Sequence, residues 1–247
     1  MTVDRQLNWD GCFNVRELGG FRGADGRETR WGAVVRSDSP ERLTVAGWSA
    51  LQAHGIRTIV DLRDHVERQI EPEPPAAEFA TVHVPVLDLT DADFWEEWRG
   101  VYDTPRFYRA VLNRWPERFA AAVAAVGGAR AGGVVIHCQV GRDRTGLVAA
   151  LLLSLAGASP DDIASDYELS ADRLRPLYAQ WLRDAVDDSS KKRLSRENVS
   201  DRAAMLATLA SLNVEAYLQA GGLDDADLAA VRRRLLNPAL DATAAHS

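Results

Sequence analysis

Apolar and polar positions change period along the chain, and those changes lay out its elements. Residues 134–136 (Val-Val-Ile) form a β-branched run bounded upstream by Gly132-Gly133, the pattern of a short buried strand. From Thr145 onward the run GLVAALLLSLAG is apolar on nearly every face, which suits a core helix closed at Gly157. The same reading gives a hairpin over 20–37 turning at Ala24-Asp25-Gly26, and a helix over 44–54 closed by Gly55. Strands follow at 56–62 and 81–86, separated by the rigid extended loop Glu71-Pro-Glu-Pro-Pro, because proline blocks helix and ladder alike. Residues 91–126 pattern as helix with breaks at Thr104-Pro105 and Trp115-Pro116. Further helices are expected at about 160–186, 198–212, 213–220 and 224–236, before a frayed tail of ten residues. Strands alternating with helices predict an α/β fold with a mostly parallel central sheet flanked by helices. Ligands in such a sheet belong at the carboxyl ends of the strands, where Ile136-His137-Cys138 and Val60-Asp61 both lie.

Between the 134–136 strand and the following helix runs HCQVGRDRTG, residues 137–146. A strand–loop–helix turn of this kind converges backbone N–H groups on an anion, helped by the positive end of the helix dipole. Gln139, Val140, Gly141, Arg142, Asp143, Arg144 and Thr145 are therefore the expected phosphate-binding residues. Arg144 adds a planar guanidinium suited to gripping two phosphate oxygens. Cys138 stands at the loop's entrance, where the amides, the dipole and Arg144 all favour a thiolate over a thiol. A thiolate aimed at phosphorus inside a cradle of donors is the equipment for a cysteinyl-phosphate intermediate. Gly141 is expected to permit a tight turn and His137 to orient the loop. Thr145 either lends its hydroxyl to the departing thiolate or caps the helix. Departure of the ester oxygen needs a proton donor. The candidates are Asp143 inside the loop and Asp61 at a neighbouring strand end, whose alternative is a salt bridge with Arg63 or Arg36. Asp88, Asp91 and Asp93 form a third candidate group, in a polar turn that also reads as plainly solvated. Cys12 has Leu18 six places on and no comparable setting, so it is expected to be ordinary packing.

Composition changes this picture little but excludes several classes. A chain of 247 residues with 46% hydrophobic and 26% charged content suits a single globular domain. No run approaches the roughly 18–20 apolar residues of a membrane span, and the start MTVDRQLNWDG lacks the basic flank and apolar stretch of a secretory signal. Two cysteines leave no disulfide framework, and a catalytic thiol favours a reducing compartment, so a cytoplasmic location is expected. A net charge of −7 argues against a nucleic-acid partner and against stable membrane association. The five histidines (54, 65, 83, 137 and 246) show no paired ligand spacing, so no metal and no cofactor is expected.

Beyond the loop, NVRELGG at 14–20, DGRETRWGAVVRSD at 25–38 and GIRTIVDLRDHVE at 55–67 share a resemblance with it, as does the stretch 205–236 with Tyr217-Leu218, Gly221-Gly222 and Leu228. Together these resemble the bacterial PtpB-like cysteine-dependent phosphatases of the protein-tyrosine-phosphatase superfamily. The likeness covers nearly the whole chain, with 88–130 the least recognisable part. It implies one phosphatase domain over 1–247, with a helical lid inserted around 88–130. Phe94, Trp95, Trp98, Tyr102, Phe107, Tyr108 and Trp115 fall there, and core packing is an equal reading of them. It implies protein-tyrosine phosphatase activity with scope for dual specificity, acting on a phosphorylated protein, and it favours Asp143 as the proton donor. The group often carries lysine at the position of Arg142, a residue linked to handling multiply phosphorylated lipids. Arginine here departs from that pattern, keeping the charge but planar and forked where lysine is a compact point charge, so a phosphoinositide or other small phosphoester is the alternative substrate and not the expected one. A non-catalytic phosphate-binding protein would dispense with Cys138, and a sulfur-transfer enzyme would not need Arg144; both are disfavoured.

Overall fold

In the computed structural model, which describes residues 4–68, 79–99, 101, 107–184 and 202–238, five strands form one sheet. They are β1 (Arg16–Glu17), β2 (Val34–Ser37), β3 (Ile56–Asp61), β4 (Ala80–His83) and β5 (Gly133–His137), in the order β1-β2-β5-β3-β4. Only the β1–β2 pair is antiparallel; β2, β5, β3 and β4 run parallel. The helices are α1 (Val45–Ala53), α2 (His65–Arg68), α3 (Ala92–Glu97), α4 (Tyr108–Arg114), α5 (Pro116–Gly127), α6 (Asp143–Leu155) and α7 (Pro160–Asp184), then α8 (Arg202–Ala210), α9 (Val214–Ala220) and α10 (Asp225–Leu235). The expected α/β architecture with a mostly parallel sheet flanked by helices is what the chain adopts.

Side-chain alternation along the strands divides the core. Val34, Val60, Val134 and Ile136 face the larger cluster, built with α4, α5, α6, α7 and the C-terminal helices. Val35, Ile56, Ile59 and Val135 face a smaller cluster with Leu51 of α1 and Trp9, Val15 and Leu43. Each fully buried valine or isoleucine contributes about 1.5–3 kcal/mol relative to exposure. The sheet is thus held rigid from both faces, and its carboxyl edge becomes a firm platform. Register sets three site residues side by side on that edge, since His137 pairs with Ser37 on one flank and with Asp61 on the other.

Some boundaries move for identifiable reasons. The turn at 23–27 forms, closed by Gly23 N–H to Arg27 O at 2.8 Å, but the strand that pairs with β2 is β1, ahead of Gly20 rather than within 20–37. Gly19 lies against Trp31, whose Cα would be 2.8 Å from a Cβ at that position, so the chain crosses there instead of continuing a ladder. The strand expected at 81–86 stops at His83, two residues before Pro85, which has no N–H to donate. The helical stretch after residue 91 breaks at Trp115-Pro116 as expected, while Thr104-Pro105, the 71–75 loop and Tyr102 lie outside the described residues. Most of the expected frayed tail also lies outside them. Of the aromatics there, Phe94, Phe107, Tyr108 and Trp115 are buried in the larger core cluster, with Trp95 and Trp98 packed partly buried against it.

Candidate active site

Strand β5 delivers Cys138, buried, at its carboxyl end; the loop 139–142 follows, and α6 begins at Asp143. What organises this loop is the fate of its carbonyls. Ser39 N–H donates to Gln139 O at 3.2 Å, and Asn14 Nδ2 donates to Val140 O at 3.0 Å. Arg36 Nη2 donates to Gly141 O at 2.8 Å and to Arg142 O at 3.3 Å. Within a trans peptide unit the N–H points opposite to the C=O. Four carbonyls tied back into the protein therefore turn the N–H groups of residues 140–143 the other way, toward a common centre. The helix ladder begins with Gly146 N–H to Arg142 O, so the first-turn amides of α6 precede it at the positive end of the dipole. The result is an anion cradle.

The groups that tie the loop back are themselves fixed by a buried ionic network. Asp166 of α7 takes Arg16 Nε at 2.9 Å on one carboxylate oxygen and Arg36 Nη1 at 2.7 Å on the other. Burial would raise the Asp166 carboxyl, but the flanking Arg16 and Arg36 guanidiniums outweigh it and bring it down to about 2. Asp38 accepts Asn14 N–H at 2.9 Å and Phe13 N–H at 3.1 Å, which holds the Asn14 amide under Val140. Gly141 adopts φ +67°, and a Cβ there would sit 2.3 Å from Ser37 O, so only glycine lets the loop press against the end of β2.

Arg144 forms a two-pronged ion pair with Glu67 of α2, whose second prong is 2.7 Å. Burial alone disfavours the Arg144 charge, yet Cys138 and Glu67 outweigh it and raise the guanidinium above its ordinary range. A guanidinium has five N–H donors, so the pair with Glu67 aims the group while leaving donors for an anion. Asp61 is committed elsewhere: its carboxylate accepts Arg63 N–H and Nε, both at 3.0 Å, and Arg63 Nη2 at 2.9 Å. Burial raises Asp61, but the facing His137 and Arg63 prevail and hold it below the usual carboxylate range. Of the two salt bridges expected for it, that with Arg63 forms, whereas Arg36 pairs with Asp166. Burial pushes the His137 imidazole down; its Nδ1 lies 3.2 Å from Cys138 O and its Nε2 3.8 Å from Asp61.

The Asp143 side chain is 41% exposed and opens onto a cleft of about 870 Å³ above the loop. Leu87, Trp95, Phe107, Tyr108, Tyr178 and Trp181 line that cleft together with Gln139, Val140 and Arg144. Tyr108 donates its hydroxyl to Asp143 Oδ1. Thr145 Oγ1 is buried and makes no hydrogen bond to the described residues. Arg142, expected among the phosphate-binding residues of the loop, is 2% exposed, with its Nε 3.4 Å from the Tyr167 hydroxyl and 3.7 Å from Asp143 Oδ1. Asp88 is bonded to Thr90 and Arg118, Asp91 caps α3 and pairs with Arg114, and Asp93 is exposed beside a separate shallow pocket. The Cys12 thiol donates to Ser39 O at 3.5 Å, and burial together with Asp38 pushes it up, so it stays protonated. Among the described residues no group of three His, Cys, Asp or Glu side chains is placed to hold a metal ion, and no helix is long and apolar enough to cross a membrane.

Arg16, Arg36, Asn14, Asp38, Asp166, Glu67 and Tyr108 were not among the site residues expected from sequence. A signal existed for some: Arg36 interrupts the apolar strand Val34-Val35, and Asn14 and Arg16 lie inside NVRELGG. Asp166 had none, being one acid among several on a long amphipathic helix.

A cysteine at the end of a central parallel strand, an anion cradle beyond it and an arginine six positions on define an architecture of the protein-tyrosine-phosphatase kind. The sequence model of the tyrosine phosphatase family matches residues 7–237, and the chain belongs to that family. It is 35% identical over 167 residues to H16_A0669 of Cupriavidus necator, a protein named provisionally as a tyrosine-protein phosphatase. That match covers 65% of this chain and 61% of the relative's length. A tyrosine-protein phosphatase of Nostoc commune is 27% identical, covering 82% of this chain and 74% of its own. The triple specificity protein phosphatase PtpB of Mycobacterium tuberculosis is 29% identical, covering 84% of this chain and 92% of its own.

Proposed function

We propose that the protein hydrolyses phosphomonoesters, phosphotyrosyl protein foremost, through a cysteinyl-phosphate intermediate. The observation that carries this reading is the set of four loop carbonyls tied away from Cys138, which leaves the loop amides and Arg144 to hold the phosphoryl oxygens. In the first step Cys138 Sγ attacks phosphorus, the S–P bond forms, the ester O–P bond breaks, and Asp143 protonates the leaving oxygen. In the second a water attacks phosphorus, gives its proton to Asp143, and the S–P bond breaks to return the thiolate. Thr145 Oγ1, lacking another partner among the described residues, is the proposed donor to that thiolate. Asp143 is preferred to Asp61 because an acid must hold a proton and face substrate. Asp61 is buried, saturated by Arg63 and kept ionised, whereas Asp143 lines the cleft. The aromatic walls suit an aryl ester. The Arg142 side chain is buried and does not line the cleft, so it supplies no charge at the mouth for a second phosphate, and the phosphoinositide reading gains no support from it. The single domain with its lid around 88–130, and a cytoplasmic setting, belong to the same proposal.

Cys138→Ser tests the reading. The variant is expected to bind inorganic phosphate about as tightly as the parent while turnover of 4-nitrophenyl phosphate falls by at least about 10³-fold, because a serine hydroxyl lacks a base to activate it. Turnover surviving in that variant would take Cys138 out of the mechanism.

A further inference from the structure

Four groups form a chain of hydrogen bonds ending on the proposed acid. Arg142 Nε lies 3.4 Å from Tyr167 OH, Tyr167 OH lies 2.7 Å from Tyr108 OH, and Tyr108 OH meets Asp143 Oδ1. Donor arithmetic gives this chain a direction. An arginine Nε can only donate, and a carboxylate oxygen accepts; each phenol has a single proton. Tyr108 must spend its proton on Asp143, so it accepts from Tyr167, which in turn accepts from Arg142. Both phenols are buried, Tyr108 at 1% exposure and Tyr167 at 1%, and α4 and α7 hold their rings edge to face at 5.9 Å. Burial and the charge of Asp143 raise Tyr108 well above the ordinary phenol range, so it retains the proton it donates.

We propose that Tyr108, backed by Tyr167 and Arg142, is a positioning residue that assigns the two oxygens of Asp143. Oδ1 is held as permanent acceptor, and Oδ2 is left to carry the proton toward the leaving group. This rests on the reading of Asp143 as general acid. Oδ1 can accept from Tyr108 whether or not Oδ2 is protonated, so the contact persists through both steps of turnover and fixes the rotation of the carboxyl. The charge of Arg142 reaches Asp143 both directly, its Nε lying 3.7 Å from Oδ1, and through the polarised phenols, which strengthen one another in a dry setting. The charged groups beside Asp143 are Arg142 and, on its own helix, Arg144, which interacts in turn with Cys138 and with Glu67 of α2. Glu96 of α3 and Arg99 just beyond that helix line the same cleft, and Tyr178 of α7 lies near Arg142. A buried anchor for Arg142 also explains why a cation occupies a position that does not face the cleft mouth.

The test is a cycle on the full chain with Tyr108→Phe, Asp143→Asn and the double variant. Tyr108→Phe removes one hydroxyl and keeps the ring. It is expected to lower kcat on phenyl phosphate by about 10-fold, a fraction of the 10²–10⁴ that general acid catalysis supplies. The loss on 4-nitrophenyl phosphate should be about twofold, with KM unchanged. A donor to a carboxylate favours its ionised form, so removing it should move the basic limb of the pH–rate profile to higher pH. In the Asp143→Asn background the same substitution should do nothing further. Tyr167→Phe, which leaves the Tyr108–Asp143 contact in place, should shift the basic limb in the same direction by less. If Asp143→Asn steepens the leaving-group dependence but Tyr108→Phe moves neither that dependence nor the basic limb, the positioning role is overturned and the acid stands. A Tyr108→Phe effect that survives undiminished in the double variant also overturns it. If Asp143→Asn leaves the leaving-group dependence unchanged, the acid assignment itself is wrong and the inference falls with it.

Discussion

At the residue scale, the shape of the loop depends on side chains that lie outside it. Asp166 is the clearest case: it lies on α7, far along the chain from the loop, yet it fixes Arg36, and Arg36 holds Gly141 O and Arg142 O. Its folded value of about 2 lies below the unfolded value of roughly 3.9. The stability it contributes is therefore fully present above about pH 4 and is lost as pH falls toward 2. Asp166→Asn should abolish that acid-side component and strand two buried guanidiniums, costing about 3–5 kcal/mol at neutral pH. Urea denaturation of both proteins across pH 2–7 measures this; an equal acid-side loss in parent and variant would rule Asp166 out as its source. The residues proposed to carry the chemistry stand out in the sequence because Cys138, Gly141, Arg144 and Thr145 sit within one short run of strand, loop and helix. The tie-backs do not, because Asn14, Arg36 and Asp166 converge only through the tertiary fold, and a buried ion pair leaves no periodic trace in sequence. The burial of Arg142 has no sequence signal either, since it depends on the Asp143 carboxylate and on tyrosine hydroxyls brought in by other helices.

At the scale of elements, the loop is shaped by the end of β2 as much as by its own sequence. The run from Gly133 to Leu155 was legible because apolar periodicity changes sharply on either side of Cys138. The single turn α2, which carries Glu67 to Arg144, has no sequence signature, since four residues are too few to establish a period. β1 was misplaced for a similar reason, having two residues. Gly141→Ala probes the contact between elements directly. The new methyl would meet Ser37 O and the end of β2 at a backbone angle of φ +67°. A non-glycine residue in that region costs roughly 1–3 kcal/mol before any clash is counted. The variant should lose about that much stability, and its inhibition by inorganic phosphate should weaken at least about 10-fold, since the loop must lift away from β2 and its amides diverge. A variant that is destabilised yet retains parental phosphate inhibition would show that the cradle tolerates a shifted loop.

At the scale of the whole molecule, the anion cradle joins segments remote in sequence: residues 14–16 and 36–39 near the start, 138–144 in the middle and 166 on α7. Mostly parallel sheets require such long connections, and they place the cradle where the ends of three strands and one helix meet. An anion seated there engages donors whose orientation exists only when all of these segments are assembled, so it binds the folded state and not the unfolded chain. Linkage then fixes the size of the response. At about 100 times its dissociation constant a ligand stabilises the fold by roughly 2.7 kcal/mol. For a chain of 247 residues each kcal/mol raises Tm by about 2–4 °C. Inorganic phosphate at that concentration should therefore raise Tm by about 5–10 °C in a thermal melt followed by circular dichroism. Arg144→Met removes the guanidinium at the cradle's exit while keeping a flexible apolar stem, and it should abolish most of the rise at the same phosphate concentration. Matched ionic strength with chloride separates this from general salt effects, because chloride cannot satisfy the convergent amides of a phosphate-sized site. A full rise in Arg144→Met, or an equal rise in chloride, would mean that phosphate acts elsewhere on the molecule and that the loop is not its binding site.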